Sequence, residues 1–336
     1  MDASRHRIML AVLVVFTALS IGACAPVSVA PSFGSPVAPS SEPAAGASLS
    51  PAASPSPAFP VTLTDDDGNS VTIPSEPKRI VSLQPATTEI LFAVGAGDRV
   101  VGKVEDIFPY PPEADGLPVV ATYQGVDVEK VVGLEADLVI AGGNEGNPTE
   151  DIARLRSFDI PVLVVYPETV DEVLANIGLI GAAVGQDVEA EELVADLRLE
   201  IDAITAATAD LPRGRVFYEI DATADIYGPA DDSFLAEMIG RAGGTPITSG
   251  TTEFIPIPLE VLVTADPEII VLGDAAYGVT PEIVAARPGW AVMTAVKDGA
   301  IRPADDVVIT RPGPRIALGL ADLAKAIHPD IALPTD

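Results

Sequence analysis

The chain has a single cysteine, Cys24, and two histidines, His6 and His328, in 336 residues. One cysteine cannot pair within the chain, so no intrachain disulfide framework exists. So few histidines nearly exclude a histidine-rich transition-metal site. His328, beside Pro329 near the C-terminus, reads as a helix-end residue rather than a general base. No G-x-S-x-G elbow occurs, and Gly95-Ala96-Gly97 follows a helix rather than a strand, so it is a helix stop and not a phosphate cradle. Positive charge is scarce as well: 19 lysines and arginines face 49 acids, a net charge of −30. Such a surface repels nucleic acid and anionic lipid. Carboxylates are so numerous that no pair can be singled out as an acid/base dyad without geometry. No catalytic residue, metal site or permanently bound cofactor is expected.

What is present begins at the N-terminus. Arg5 and Arg7 precede the apolar run Ile8 to Ile21, which leads into Ile21-Gly22-Ala23-Cys24. A basic start, a short apolar stretch and small residues describe a secretory signal over residues 1–23. The run is short for a transmembrane helix. Cys24 directly after small residues resembles the bacterial lipobox, which makes it the expected lipidation site and anchor to the cell membrane. Residues 24–60 are almost entirely Ala, Pro, Ser, Gly and Val. Their low bulky apolar content and high proline predict an extended tether.

The folded part carries a repeat. Val126 to Ala141 and Ile257 to Leu272 align without a gap at an offset of 131 residues. Each copy has a glutamate, Glu129 or Glu260, opening a short amphipathic helix, then a break with an acidic residue, then an apolar strand. So long a period indicates two similar lobes rather than a solenoid. Around the repeat, strands alternate with helices, which predicts mainly parallel sheets covered on both faces. A hairpin is expected over Val61 to Ile73, and a helix capped by Thr87 or Thr88 runs to Val94. Helices over Val170 to Val184 and Glu189 to Ala209 follow, the longer one carrying Leu193, Leu197, Ile201 and Ile204 on one face. The expected plan is an α/β lobe over 61–168, a linking helical segment over 169–212, and a second α/β lobe over 213–336, with one long helix joining the two.

Ligand sites of α/β folds form at the carboxyl ends of strands. The candidates there are Gln84, the Glu105 to Tyr110 loop with Phe108, and Asn144 in lobe 1, and Tyr227, Gly273-Asp274 and the Asp305 to Arg315 segment with Asp306 in lobe 2. Tyr123, followed by Gln124, lies six residues before Glu129, and Phe254 six before Glu260. Facing aromatics suit a large, flat, partly apolar ligand, although each alone reads equally well as ordinary packing. In Arg311-Pro312-Gly313-Pro314-Arg315, one arginine is expected to meet a ligand carboxylate or phosphate and the other to make a structural ion pair.

Several segments resemble those of ABC-importer binding proteins for iron complexes and vitamin B12. They are Pro77 to Leu83, Thr88 to Phe92, Tyr110 to Ala114, both repeats, Arg287-Pro288-Gly289-Trp290 and Arg311 to Arg315. The resemblance covers about Pro77 to Pro329. It implies two lobes with little closing motion, a periplasmic-binding-protein fold of the class with a rigid linking helix, and a ligand between the lobes. It also implies that Glu129 and Glu260 dock on arginines of the permease. Tyr123, Phe254 and Phe108 stand where the vitamin B12-binding protein has aromatics, a fourth falls on Gly142 and is lost, and Arg311 matches the arginine that contacts cobalamin. These positions fit cobalamin or another corrinoid, haem or a ferric siderophore as cargo. The implied partners are a permease dimer and its ATPase, with the chain itself a monomer. Two other classes remain open on the sequence: a secreted two-lobed α/β enzyme, which the scarcity of His and Cys disfavours, and a surface sensor.

Overall fold

The computed structural model describes residues 59–143, 147–249 and 256–334. The signal segment, Cys24, most of the tether, Asn144 and Phe254 therefore lie outside the described residues. Lobe 1 opens with the hairpin β1 (Val61–Thr64) and β2 (Ser70–Ile73), then continues through β3 (Ile80–Ser82), α1 (Pro85–Ala93), β4 (Val100–Val104), β5 (Val119–Thr122), β6 (Gly125–Val126), α2 (Val128–Gly133), β7 (Leu138–Ala141), α3 (Thr149–Arg156) and β8 (Val162–Val164). Its main sheet has the order β6-β5-β4-β3-β7-β8, parallel except for the β5–β6 pair. After α4 (Val170–Val184) and α5 (Asp187–Thr208), lobe 2 runs through β9 (Arg215–Glu219), α6 (Phe234–Arg241), β10 (Thr245–Pro246), α7 (Leu259–Ala265), β11 (Ile269–Leu272), α8 (Pro281–Ala285), α9 (Thr294–Lys297), β12 (Ile301–Pro303), α10 (Asp306–Thr310) and α11 (Ile316–Ile327). Its sheet is β10-β9-β11-β12, all parallel.

The repeat is visible in the backbone. In both lobes a short helix (α2, α7) leads into a central strand (β7, β11) that pairs with the first strand of its lobe (β3, β9). The acidic residue at the break, Glu135 or Asp266, is left-handed in both copies, with φ of 53° and 46°. Each first strand is tied at its start in the same way. Arg79 Nε donates to the Leu134 carbonyl at 2.7 Å, and Arg215 Nε to the Ala265 carbonyl at 3.1 Å. Asp137 accepts the Arg79 backbone N–H, and Glu268 accepts that of Arg215, both at 2.9 Å. These ties satisfy backbone groups that the bend would otherwise leave unpaired.

Alternation along the strands sorts the core. Ile80, Leu138 and Ile140 of lobe 1 join Val216, Tyr218 and Val271 of lobe 2 in one apolar cluster, which also takes in the buried faces of α4, α5 and α11. The opposite strand faces form separate cores: Val81, Leu83 and Val139 with Val128 and Val131 of α2, and Phe217, Ile270 and Leu272 with Leu262 of α7. The lobes thus share a continuous interior. Removing either lobe would expose side chains that each contribute roughly 1.5–3 kcal/mol when buried.

The segment between the lobes holds two helices, α4 and the 22-residue α5. Gly185, left-handed at φ 73°, ends α4, and α5 doubles back along it, as the Asp171–Arg198 contact at 3.3 Å at one end and the Gly181–Ala190 approach at the other require. The Thr169–Glu172 capping box begins the pair. Leu197, Ile201 and Ile204 of α5 are buried, while Leu193 is partly buried. Two further details differ from the sequence reading. Helix α1 starts at Pro85 with Gln84 as its N-cap, and Thr87 and Thr88 lie inside its first turn. Both hydroxyls turn inward to Ser82 Oγ and the Gln84 carbonyl instead of capping. Residues 119–126 form the β5–β6 hairpin, which has no counterpart in the sequence reading.

Candidate functional site

The carboxyl ends of the two sheets face a cleft of about 750 Å³. Lobe 1 contributes Ile107 to Tyr110, which follow β4; lobe 2 contributes Ala276 after β11, Pro303 to Asp305 and Val307 around β12, and Arg315 and Asp322. Aromatic surface marks it. Phe108 and Tyr277 meet edge to face across the lobes at 6.2 Å, and both remain exposed, Tyr277 at 66%. Such a pair contributes about 0.5–1.5 kcal/mol beyond its buried area. Tyr110 lies against the Arg315 guanidinium at 4.1 Å.

Under this wall runs an ion-pair network that joins the lobes. Glu89, buried in α1, accepts Arg315 Nε and Nη2 at 2.8 and 2.7 Å, and Arg311 Nη1 at 3.0 Å. Arg311 also forks onto Asp106, with Nη2 donating at 2.6 Å and Nη1 at 3.0 Å, and Nη1 reaches the Phe108 carbonyl at 3.1 Å. Bidentate pairs of this kind are the strong, directional ones. The Glu89 pairing raises the Arg315 pKa further, so this guanidinium stays charged. The sequence reading gave one arginine to a ligand anion and one to an ion pair; in the structure both are paired with acids of the other lobe. Glu89 and Asp106 lie more than 200 residues from their arginines, so no local pattern announces them.

The other expected contacts are placed as follows. Gln84 is half-buried over Gly142, where an added Cβ would lie 1.7 Å from Gln84 Nε2. Tyr123 and Gln124 form the tip of the β5–β6 hairpin, Tyr123 being 89% exposed with its hydroxyl accepting Gln124 Nε2 at 3.1 Å. Tyr227 is half-buried beside Asp221, to which it is bridged through the backbone. Asp306 accepts the Tyr218 hydroxyl at 2.8 Å, and burial raises the pKa of both groups. Of the candidate residues and segments read from the sequence, Phe108, Asp305 and Arg315 line the cleft, whereas Gln84, Tyr123, Gln124, Tyr227, Asp306 and Arg311 are not among its lining residues. Ile107, Tyr110, Tyr277 and Asp322 are cleft features that were not singled out as contacts.

Glu129 and Glu260 are both exposed in the first turns of α2 and α7. The side chain of Asp127 caps α2 by accepting the Lys130 N–H at 3.0 Å, whereas α7 begins after Pro258. A carboxylate in a first turn is favoured by the helix N-terminus. Among the described residues neither glutamate is in an ion pair. Also among the described residues, no group of three or more His, Cys, Asp or Glu side chains is placed to hold a metal ion.

Comparison with known proteins gives the family of this two-lobed chain. A family model described as periplasmic binding protein matches residues 80–307. The chain belongs to the periplasmic binding protein family. An uncharacterized ABC transporter substrate-binding lipoprotein, YvrC of Bacillus subtilis, is 35% identical over 277 residues, covering 81% of this chain and 87% of the relative. A cobalamin-binding protein of Halobacterium salinarum is 32% identical over 281 residues, 80% of this chain and 74% of the relative. Among solved structures, the periplasmic heme-binding protein RhuT from Roseiflexus sp. RS-1 aligns with a TM-score of 0.68 at 28% identity, over 75% of this chain and 98% of that one. The family is one of substrate-binding proteins of transport systems, and the α/β two-lobed architecture is its fold.

Proposed function

We propose that the chain is a lipid-anchored, extracytoplasmic carrier that holds a corrinoid such as cobalamin between its lobes and delivers it to an ABC importer. The observation that carries this reading is the repeat: two matched helix starts, one per lobe, each presenting an exposed glutamate, on lobes fixed by a common core. Glu129 and Glu260 are the docking points for the permease dimer, which works with its ATPase. Cys24 is the lipidation site; Cys24→Ala should shift the protein from the membrane to the soluble fraction, and wild-type membrane recovery would contradict that anchor. Phe108 lines the cleft that receives cargo; Gln84, Tyr123, Gln124, Asn144, Tyr227, Phe254 and Asp306 are assigned as further cargo contacts from the sequence alone. The aromatic cleft supports a large flat ligand, and likeness to a cobalamin-binding relative supports a corrinoid. Haem or a ferric siderophore is the second reading, supported by likeness to a haem-binding structure. The absorption spectrum of protein purified from its native host tests the choice. Corrinoid bands are the expected result; a haem Soret band or a ferric-siderophore charge-transfer band would replace the first reading with the second.

A further inference from the structure

The cleft has aromatic walls and, among the described residues that line it, no base free of an acidic partner. In the main sheet of either lobe, no lysine or arginine occurs in a segment that runs from the carboxyl end of a strand to the next helix or strand. Those segments carry acids instead, among them Asp106, Asp221, Asp274 and Asp305. Among the described residues that line the cleft the one cation is Arg315, with Arg311 beside it in the network, and the network consumes both. Their side chains are 14% and 17% exposed and their guanidinium groups pair with Glu89 and Asp106, so two positive charges are cancelled by two negative ones within 3.0 Å. Arg287 of lobe 2 is likewise taken by buried Glu219 at 2.6 Å. What remains unpaired at the cleft wall is acidic: Asp305 and Asp322 line it, and neither is in an ion pair among the described residues.

We infer that this cleft selects its ligand by charge, admitting a large flat ligand of neutral or positive charge and rejecting one with net negative charge, and that Glu89 and Asp106 set this selectivity by neutralising Arg311 and Arg315. The inference rests on the carrier reading and narrows its cargo class. A carboxylate entering the cleft meets like charge and finds no free donor of positive charge, while losing its own hydration. An amide-rimmed ligand meets no such penalty, because amides donate to the surrounding carboxylates.

The test uses the purified full chain and four probes, with binding followed by isothermal calorimetry at low and high salt. The probes are cyanocobalamin, the same corrinoid with peripheral amides hydrolysed to carboxylates, haemin with its two carboxylates, and a cationic ferric trihydroxamate. The neutral corrinoid should bind at least about tenfold more tightly than its carboxylate form, and the gap should narrow as salt screens the repulsion. Glu89→Gln should narrow it too, by uncovering positive charge on the arginines; Asp106→Asn provides the same readout if the first variant folds poorly. Haemin or the carboxylate corrinoid binding as tightly as the neutral corrinoid would overturn the inference, as would a gap that neither variant changes. Tight binding of the cationic chelate without binding of cyanocobalamin would contradict the corrinoid cargo and uphold the charge rule.

Discussion

At the carboxyl end of its first strand lobe 1 buries Leu83, and lobe 2 places Glu219 at the equivalent position, as the matched pairings of Ile80 with Leu138 and Val216 with Ile269 define it. One strand over, Gly142 and Gly143 correspond to Gly273 and Asp274. Lobe 1 fills this place with neutral groups: Asn147, buried, accepts the Gly142 N–H at 2.6 Å and donates toward the Leu83 carbonyl at 3.4 Å. Lobe 2 fills it with ions. Glu219 takes both arms of Arg287 at 2.6 and 2.8 Å, Arg287 lies over Trp290 at 4.7 Å, and Asp274 is buried beside Glu219 with Oδ1 unpartnered. Burial, and next the Glu219 charge, push the Asp274 carboxyl up to about 7. One scaffold therefore supports a neutral and an ionic solution to the same packing position, and only the ionic one is pH-sensitive near neutrality.

Substitutions in this pair of sites separate the two solutions. Arg287→Ala should be the most damaging, because it leaves Glu219 buried without its counter-charge. Such losses cost about 3–5 kcal/mol. Urea unfolding would show it, and a change under about 1 kcal/mol would mean that water reaches Glu219 freely. Asn147→Ala in lobe 1 should cost less, about 1–3 kcal/mol, since it strands one backbone N–H rather than a charge. An equal or larger loss than for Arg287→Ala would reverse the comparison.

The smallest effect is a pH dependence. Between the ordinary carboxyl pKa of 3.8 and about 7, native Asp274 keeps a proton that the unfolded chain has released. The folded state then binds more protons than the unfolded one, so this group lowers stability as pH rises through that window and no further above it. Asp274→Asn mimics the protonated carboxyl. It should leave stability near pH 4 unchanged and raise it relative to wild type at pH 8. An identical difference at both values would show that Asp274 titrates in its ordinary range.

These sites also show how far sequence reaches. Strands β7 and β11 were legible to the residue because each is an unbroken apolar run between polar breaks, and α4 because a capping box and a glycine bracket it. The repeat extended even to the backbone bend, since an acidic residue marks it in both copies. The start of α1 was misplaced because Thr87 and Thr88 have the chemistry of caps but spend their hydroxyls on Ser82 and the Gln84 carbonyl. The β5–β6 hairpin was missed because Tyr123-Gln124 lacks the Asn-Gly or Asp-Gly signature of a two-residue turn. The cleft was least legible. Its aromatics were found in part, with Phe108, but the acids that occupy Arg311 and Arg315 come from another lobe, and Glu219 and Asp274 are set against Arg287 only by tertiary folding.

The proposed docking role gives the comparison of lobes a functional counterpart in Glu129 and Glu260, one exposed glutamate on each lobe of a shared core. One exposed ion pair contributes under about 1 kcal/mol, so a matched pair acts chiefly by fixing orientation on the partner. The direct measurement is uptake into vesicles that carry the cognate importer, run beside solution binding, for the Glu129→Arg, Glu260→Arg double variant. The account predicts that transport is lost while cargo affinity in solution stays at the wild-type value. Normal transport by the double variant, or loss of its cargo binding, would contradict the assignment of these glutamates as docking points.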